Sequence, residues 1–211
     1  MRSSRSPLLC LSVAALALVW SSFASAAGGP LGIDHKLHYD DSGIWRRSVQ
    51  KDLIYVMLGG EAVGALWEGG DTRLGKTFWQ AIDSTALTAV STQALKWTFT
   101  RKRPSESDSP DQWFQGSSYE SFPSGEVATV SAIVTPFVLE YGPENPWVYG
   151  LEALPVYDAV ARMKTHGHWQ TDVLAGYAIG TLVGYYAHGR KEPYILNILP
   201  GGFSVGVRYK W

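Results

Sequence analysis

Residues 162–188 read RMKTHGHWQTDVLAGYAIGTLVGYYAH and join a polar motif to a long apolar run. The part from 173 to 189 holds no Asp, Glu, Lys or Arg and is rich in Gly and Ala, which favours a buried helix packed closely on a neighbour. The His-Gly pair at 166–167 interrupts the helical pattern. We therefore predict two helices, 155–164 and 169–188, joined by a short polar turn.

Helical patterning continues toward the amino terminus, separated by a polar, Ser-rich loop at 101–122. The pattern predicts further helices at 77–97 and at 127–141, the latter bent or ended near Pro136. A helical stretch over 44–67 is expected to break at Gly59-Gly60. The predicted fold class is all-α, with a helical domain over 43–192.

The two ends of the chain have a different character. Two arginines, an apolar run and Ala24-Ser25-Ala26 follow one another, the order of a cleaved secretory signal, so we predict a signal peptide over 1–26 and a periplasmic protein. Residues 27–42 are Gly-rich and polar and predict a flexible arm. At the carboxyl end, apolar and polar residues alternate, which predicts a short β-hairpin over 193–211.

The composition of the chain argues against several classes of function. The chain has 211 residues, of which 45% are hydrophobic and 18% charged, enough apolar content for a folded core. A formal net charge of −1 argues against nucleic-acid binding through a broad basic face. The single cysteine excludes an internal disulfide framework and a Cys-rich zinc site. The apolar, Trp-rich character leaves contact with a membrane surface open, and the oligomeric state is not determined by the sequence.

Three segments carry the residues suited to chemistry. The segment 96–104, KWTFTRKRP, places basic residues at a helix end, and 121–126, SFPSGE, opens a helix whose free amides can bind an anion. The third, 162–172, places His168 and Asp172 four residues apart, so that they would share one helix face. Taken singly, these segments also fit a solvated basic helix end, an ordinary helix cap, a structural His–Asp pair or, with His166, a partial metal site.

Taken together, the three segments resemble the type 2 phosphatidic acid phosphatase superfamily, which includes bacterial acid phosphatases, lipid phosphatases and vanadium haloperoxidases. The family pattern is Lys-x6-Arg-Pro, then Pro-Ser-Gly-His, then Ser-Arg-x5-His-x3-Asp. The chain matches the first part in full; Glu126 stands for the His of the second and Ala161 for the Ser of the third. The resemblance covers about 81–190 and implies a helical bundle of the acid phosphatase/vanadium haloperoxidase type.

The resemblance also implies a role for each matched residue. His168 would attack phosphorus and form a phosphohistidine, and Asp172 would orient His168. No cofactor or metal is implied, because side chains supply the positive charge. Five residues would bind the phosphate: Lys96, Arg103, Ser124, Gly125 and Arg162.

Glu126 leaves three alternatives open. It could protonate the leaving oxygen if its pKa were raised, although the nearby cations would lower that pKa. The leaving group could instead need little protonation, as in a diphosphate. In the third alternative the site binds its ligand without turnover. His166 is a possible substitute acid.

The sequence thus predicts a secreted phosphohydrolase for phosphate monoesters or diphosphates, with a phosphorylated small molecule or a lipid-linked phosphate as its partner. The first alternative is a catalytically impaired protein that binds a phosphate or phospholipid. The second is a vanadate-dependent haloperoxidase, disfavoured because the acid–base His is replaced.

Overall fold

The computed structural model describes residues 28–190, and this part of the chain is a helical bundle. The predicted signal peptide (1–26) and β-hairpin (193–211) lie outside the described residues. Within 28–190 the only β pairing is an isolated bridge between Gly28 and Asp34. Short 3-10 turns occupy Gly43–Trp45 and Pro146–Glu152. The α-helices are α1 Arg47–Glu68, α2 Arg73–Phe99, α3 Gly125–Tyr141, α4 Ala153–Lys164 and α5 Gln170–His188.

The predicted helices are confirmed, with two differences in continuity. Helix α1 runs without a break through Gly59 and Gly60, where a break was expected. Both glycines are exposed, and a Gly within a helix costs only about 1 kcal/mol relative to Ala, which the packing of α1 on α2 offsets. Helix α3 continues through Pro136 to Tyr141 and does not end there.

The close packing expected for the Gly-rich helix α5 is confirmed, and its partner is α3. A Cβ on Gly176 would lie 2.4 Å from the Ser124 carbonyl oxygen, and one on Gly180 would lie 2.1 Å from that of Ala128. Real Cβ atoms do not approach so closely, so the approach of the two helices requires glycine at both positions. The Ser124 amide donates to the Asp172 carbonyl oxygen at 2.9 Å, which brings the second and third sequence motifs together.

The amino-terminal segment (28–42), expected to be a flexible arm, lies docked on the bundle. The His35 amide donates to the Gln170 side chain at 3.0 Å, and the Asp40 amide donates to the Lys164 carbonyl oxygen at 3.1 Å. Asp34 is fully buried. Composition alone suggested mobility, but this segment has specific polar partners at the end of α4 and at the start of α5.

Membrane spans require helices that are both long and apolar. Within the stretch from 28 to 190, none of the helices combines the length with the apolar character that crossing a bilayer requires.

Candidate phosphate site

His168 lies in the loop just before α5 and is almost completely buried. Its Nδ1 donates a hydrogen bond to the Ser121 carbonyl oxygen at 2.7 Å, and its Nε2 lies 3.4 Å from Nη1 of Arg103. The first contact fixes the proton on Nδ1, so Nε2 keeps its lone pair. Burial, followed by the charges of Arg162, Arg103 and Lys96, holds the pKa of His168 well below its usual value. His168 is therefore a neutral imidazole at pH 7, the form a nucleophile needs.

Asp172 does not orient His168 by a direct hydrogen bond. Because α5 begins only at Gln170, the two residues do not share a helix face as expected, and Nδ1 of His168 is 3.7 Å from the carboxylate. Asp172 accepts instead from the Ser121 hydroxyl at 2.5 Å and from the Trp169 amide at 2.9 Å. Asp172 is therefore linked to His168 through Ser121, whose carbonyl oxygen accepts the hydrogen bond from Nδ1 of His168.

Arg101 is the partner of Asp172 that the sequence reasoning missed. It lies inside the first motif, between Lys96 and Arg103, and is completely buried. Its Nη1 donates to Asp172 at 2.6 Å and its Nη2 donates to Asp34 at 2.6 Å. Arg101 could have been noted as a third cation in the motif, but no sequence signal pairs it with Asp34.

Lys96 and Arg103 reach the site from the end of α2 and the loop beyond it. Both donate to the Glu120 carbonyl oxygen, Lys96 at 2.6 Å and Arg103 at 3.1 Å, and Arg103 also donates to the Gly167 carbonyl oxygen at 2.9 Å. Burial and the charge of Arg103 lower the pKa of Lys96 to about 8. Substrate oxygens carrying negative charge would counter both effects.

Arg162 and Ser124 hold buried polar atoms that have no hydrogen-bond partner among residues 28–190: Nε of Arg162 and Oγ of Ser124. A buried donor without a partner costs about 1–3 kcal/mol, so both atoms are suited to an incoming oxyanion. Gly167 packs against Arg162, since a Cβ there would lie 2.3 Å from Nη2. At Gly125 a Cβ would meet only Lys96 Cε at 3.6 Å, so the backbone at the start of α3 is open to a ligand.

The structure thus brings the matched residues of all three motifs around one imidazole. We call this arrangement the anion cup; it consists of Lys96, Arg103, Ser124, Gly125 and Arg162 around His168.

Glu126 lies at the edge of the anion cup and is paired with Arg47, a residue of α1 that the sequence reasoning did not select. Both carboxylate oxygens accept from the Arg47 guanidinium, and Oε2 also lies 3.7 Å from Nε of Arg162. Burial raises the pKa of Glu126, but the two arginines outweigh burial and lower it overall. Glu126 is therefore a carboxylate at neutral pH. No sequence spacing relates Arg47 to the second motif, because the pair is made by tertiary packing.

Asp158 lies one helical turn before Arg162 and is completely buried. Neither of its carboxyl oxygens has a hydrogen-bond partner within the described part of the chain. Burial and the charge of Glu126 raise the pKa of Asp158 to about 7, although Arg162 and Arg47 oppose the shift. This side of the site therefore holds a carboxyl group that titrates near neutrality.

His166, considered as a substitute acid, contacts the docked amino-terminal segment and is not one of the residues of the anion cup. Its Nε2 donates to the Leu37 carbonyl oxygen at 2.8 Å, and its ring lies edge-on to Tyr39. Both contacts fix the segment against the end of α4.

An open apolar cavity of about 550 Å³ adjoins the loop that orients His168. Phe122, in its wall, follows Ser121 directly, and Thr171, also in its wall, precedes Asp172. The remaining lining residues include Leu31, Phe99, Trp113, Leu174 and Ala178. The cavity has the size and character that suit a hydrocarbon chain.

Comparisons with known proteins agree with this architecture. The chain is 38% identical to a Lipid A 1-phosphatase of Porphyromonas gingivalis over 101 residues, which are 47% of this chain and 20% of that protein. The matched region is thus about a fifth of that relative's length. The crystal structure of Aquifex aeolicus LpxE shares the fold, with a TM-score of 0.50 at 20% identity, over 84% of this chain and 94% of that one.

A family model described as the PAP2 superfamily matches residues 77–192, more than half of the chain. This range contains all three motifs and every residue of the anion cup. The resemblance derived from the motifs is confirmed: the chain belongs to the PAP2 superfamily.

Proposed function

We propose that this chain is a phosphatase-type hydrolase that acts on a lipid-linked phosphate or diphosphate through a phosphohistidine at His168. The observation that carries the proposal is the anion cup: a neutral imidazole whose Nε2 faces the Arg103 guanidinium and lies close to the charges of Arg162 and Lys96. In-line attack by such a nitrogen, with donors around the phosphoryl oxygens, is what phosphoryl transfer requires.

In the first step, Nε2 of His168 attacks phosphorus and the bond from phosphorus to the leaving oxygen breaks. The imidazole becomes positively charged, and the Ser121 carbonyl group and the nearby Asp172 carboxylate stabilise that charge. Arg103 and Arg162 hold the phosphoryl oxygens, and Lys96 adds a third positive charge. Removing one such donor from an enzyme typically slows it about 10²–10³-fold.

In the second step, water attacks the phosphohistidine, the N–P bond breaks and phosphate is released. A base must take a proton from that water. Glu126 is suited to this role because Arg47 keeps it ionised beside Arg162. The same ion pair makes Glu126 a poor proton donor in the first step, which favours a leaving group that departs with little protonation, such as that of a diphosphate.

A lipid-linked substrate is supported by two observations. The curated relative is named for its action on lipid A, and the apolar cavity lies beside the loop of Ser121 and Phe122. We propose that the cavity receives an acyl or polyprenyl chain, and that exposed aromatic residues such as Trp67 and Trp97 contact a membrane surface. Export to the periplasm stays a prediction from the sequence.

The second candidate function is binding without turnover, and the Arg47–Glu126 pair favours it because the proton donor of the family pattern is replaced by an ionised carboxylate. The two functions are separated by hydrolysis assays from pH 4 to 9, with dodecyl phosphate and dodecyl diphosphate, on wild type and Glu126→His. The hydrolase proposal expects wild type to cleave the diphosphate and Glu126→His to gain activity on the monophosphate. An inactive wild type together with an active Glu126→His variant would support the binding protein.

The lipid-chain proposal is tested with Ala178→Trp, which adds bulk at an exposed position in the cavity wall. We expect kcat/KM for dodecyl diphosphate to fall about 10-fold, because the added ring would leave a few methylene groups of the chain in water. The value for methyl diphosphate, which has no such chain, should not change. Ala62→Trp, at an exposed site on α1, is the matched control. Equal losses for both substrates would contradict the proposal.

A further inference from the structure

We propose that Asp34, on the docked amino-terminal segment (28–42), is a positioning residue of the site: through Arg101 it holds Asp172 and Ser121 in the arrangement that orients His168. The inference rests on the proposed hydrolase function and deepens it. It assigns a role in the reaction to a segment that lies outside the matched family region of 77–192.

Asp34 is buried and each of its carboxyl oxygens has hydrogen-bond donors. Its side chain is fully buried, as are those of Arg101 and Asp172. Oδ2 accepts from Nη2 of Arg101 at 2.6 Å and from the Thr171 hydroxyl at 2.7 Å, and Oδ1 accepts from the Thr171 amide at 2.8 Å. A carboxylate with three donors in a buried site is held in one orientation.

Arg101 bridges Asp34 and Asp172. Its planar guanidinium donates from one side to Asp34 and from the other to Asp172, at 2.6 Å each, and it also donates to the Pro110 carbonyl oxygen. A rigid fork held at both ends leaves the Asp172 carboxylate little freedom. The carboxyl groups of Asp34 and Asp172 thus share one guanidinium behind the imidazole.

Ser121 connects Asp172 with the imidazole of His168. Asp172 accepts from the Ser121 hydroxyl at 2.5 Å, and the Ser121 carbonyl group accepts from Nδ1 of His168 at 2.7 Å. The position of Asp34 thus sets the orientation of Nε2 through consecutive hydrogen bonds.

The backbone around Asp34 fixes the residue in this place. The amides of Gly28 and Asp34 each donate to the other's carbonyl oxygen at 2.9 Å. Gly29 has a φ of +78°, and a Cβ there would lie 2.0 Å from Oδ2 of Asp34. Gly32 has a similar φ of +65°, yet a Cβ there would meet nothing within 4 Å. The two glycines therefore form a matched pair: Ala at either position strains the backbone, but only Gly29→Ala displaces the carboxylate.

The test compares Asp34→Asn and Gly29→Ala with two controls, Asp108→Asn and Gly32→Ala. Asp108 pairs with Lys36 of the same segment, but its side chain is 96% exposed, so its loss weakens docking without changing the buried cluster. With dodecyl diphosphate we expect kcat to fall about 10-fold in the two test variants, as for other residues that orient a reacting group. KM and vanadate affinity should stay within about 2-fold, because the anion cup is intact, and the controls should match wild type.

A second readout does not depend on turnover. In ¹⁵N-histidine-labelled protein, the Nδ1 proton of His168 should be protected from exchange in wild type and controls, and exposed in Asp34→Asn and Gly29→Ala. If wild type proves inactive, the hydrolase proposal fails and this signal alone decides the inference. Should Asp34→Asn not fold, Gly29→Ala decides it. Wild-type kcat and a protected Nδ1 proton in the test variants would overturn the role of Asp34.

Discussion

Arg101 and Arg162 are both buried beside two carboxyl groups, but within the described part of the chain only Arg101 has a hydrogen-bond partner for each of its guanidinium nitrogens. All three guanidinium nitrogens of Arg101 donate, to Asp34, Asp172, Thr171 and the Pro110 carbonyl oxygen. On the other side of His168, Nε of Arg162 and both carboxyl oxygens of Asp158 have no hydrogen-bond partner among the residues that the structure describes. The first cluster is complete by itself and can serve as a frame, whereas the second leaves Nε of Arg162 able to donate to an oxyanion.

The difference also appears in the charges. Burial and neighbouring cations lower the pKa of Arg162 to about 10, while burial and Glu126 raise that of Asp158 to about 7. Both shifts mark groups whose charged forms are poorly solvated. Perturbed groups of this kind concentrate where proteins bind and transform ligands, and here they adjoin the anion cup.

The largest effect that would sharpen the comparison is on stability. Arg101→Met leaves Asp34 and Asp172 buried without their counter-charge, so we expect a loss of about 3–5 kcal/mol in the free energy of unfolding. Arg47→Met removes a pair whose side chains are about one-third exposed, and should cost no more than about 1 kcal/mol. Urea denaturation of both variants measures the contrast; similar losses would show that the Arg101 cluster contributes no more to stability than the partly exposed Arg47–Glu126 pair.

A smaller effect is expected on the pH profile of Arg47→Gln. The change removes the hydrogen bonds and one of the charges that lower the pKa of Glu126, so this pKa should rise and burial should dominate. A larger protonated fraction below pH 6 then allows Glu126 to donate a proton. Hydrolysis of dodecyl phosphate at pH 5 should rise about 3- to 10-fold relative to wild type, within the range of general acid catalysis. An unchanged profile would contradict the role of Arg47, and Arg46→Gln is the control.

The last effect concerns the stability contributed by Asp158. Its pKa in the folded protein, about 7, lies above the unfolded value of about 3.8, so the folded state binds more protons and stability falls as pH rises between these values. Asp158→Asn removes this dependence. At pH 8 we expect Tm to rise by about 10 °C relative to wild type, because the difference between the two pKa values corresponds to about 4 kcal/mol in a domain of this size. At pH 4 the two proteins should be alike; a gain in Tm at both pH values would be a packing effect and not a titration.

The residues that the structure brings together in the anion cup could be selected from the sequence because each of them lies in a motif with fixed spacing. Lys96 and Arg103 flank one helix end, Ser124 and Gly125 open another, and Arg162 and His168 flank a third break. The helices were also predictable, because the spacing of apolar residues and the glycine content indicate which parts of a helix are buried. The predicted break at Gly59-Gly60 was wrong because the tertiary packing of α1 outweighs the low helix propensity of two glycines.

The partners of these residues were not predictable. Asp34 and Arg47 meet Arg101 and Glu126 only after the bundle has formed, and no local spacing encodes such pairs. The prediction that Asp172 shares a helix face with His168 was wrong because Asp172 caps the first turn of α5 and so starts the helix after the histidine. Composition also misjudged the segment 28–42, where a few buried polar contacts outweigh its many small residues.

The most direct test of the account is to trap the phosphoenzyme. Wild type and His168→Ala would be mixed with dodecyl diphosphate labelled with ³²P in its terminal phosphate and quenched in alkali. The account predicts an alkali-stable, acid-labile label on wild type, located at His168, and no label on His168→Ala. Label on another residue, or hydrolysis by wild type that survives in His168→Ala, would contradict it.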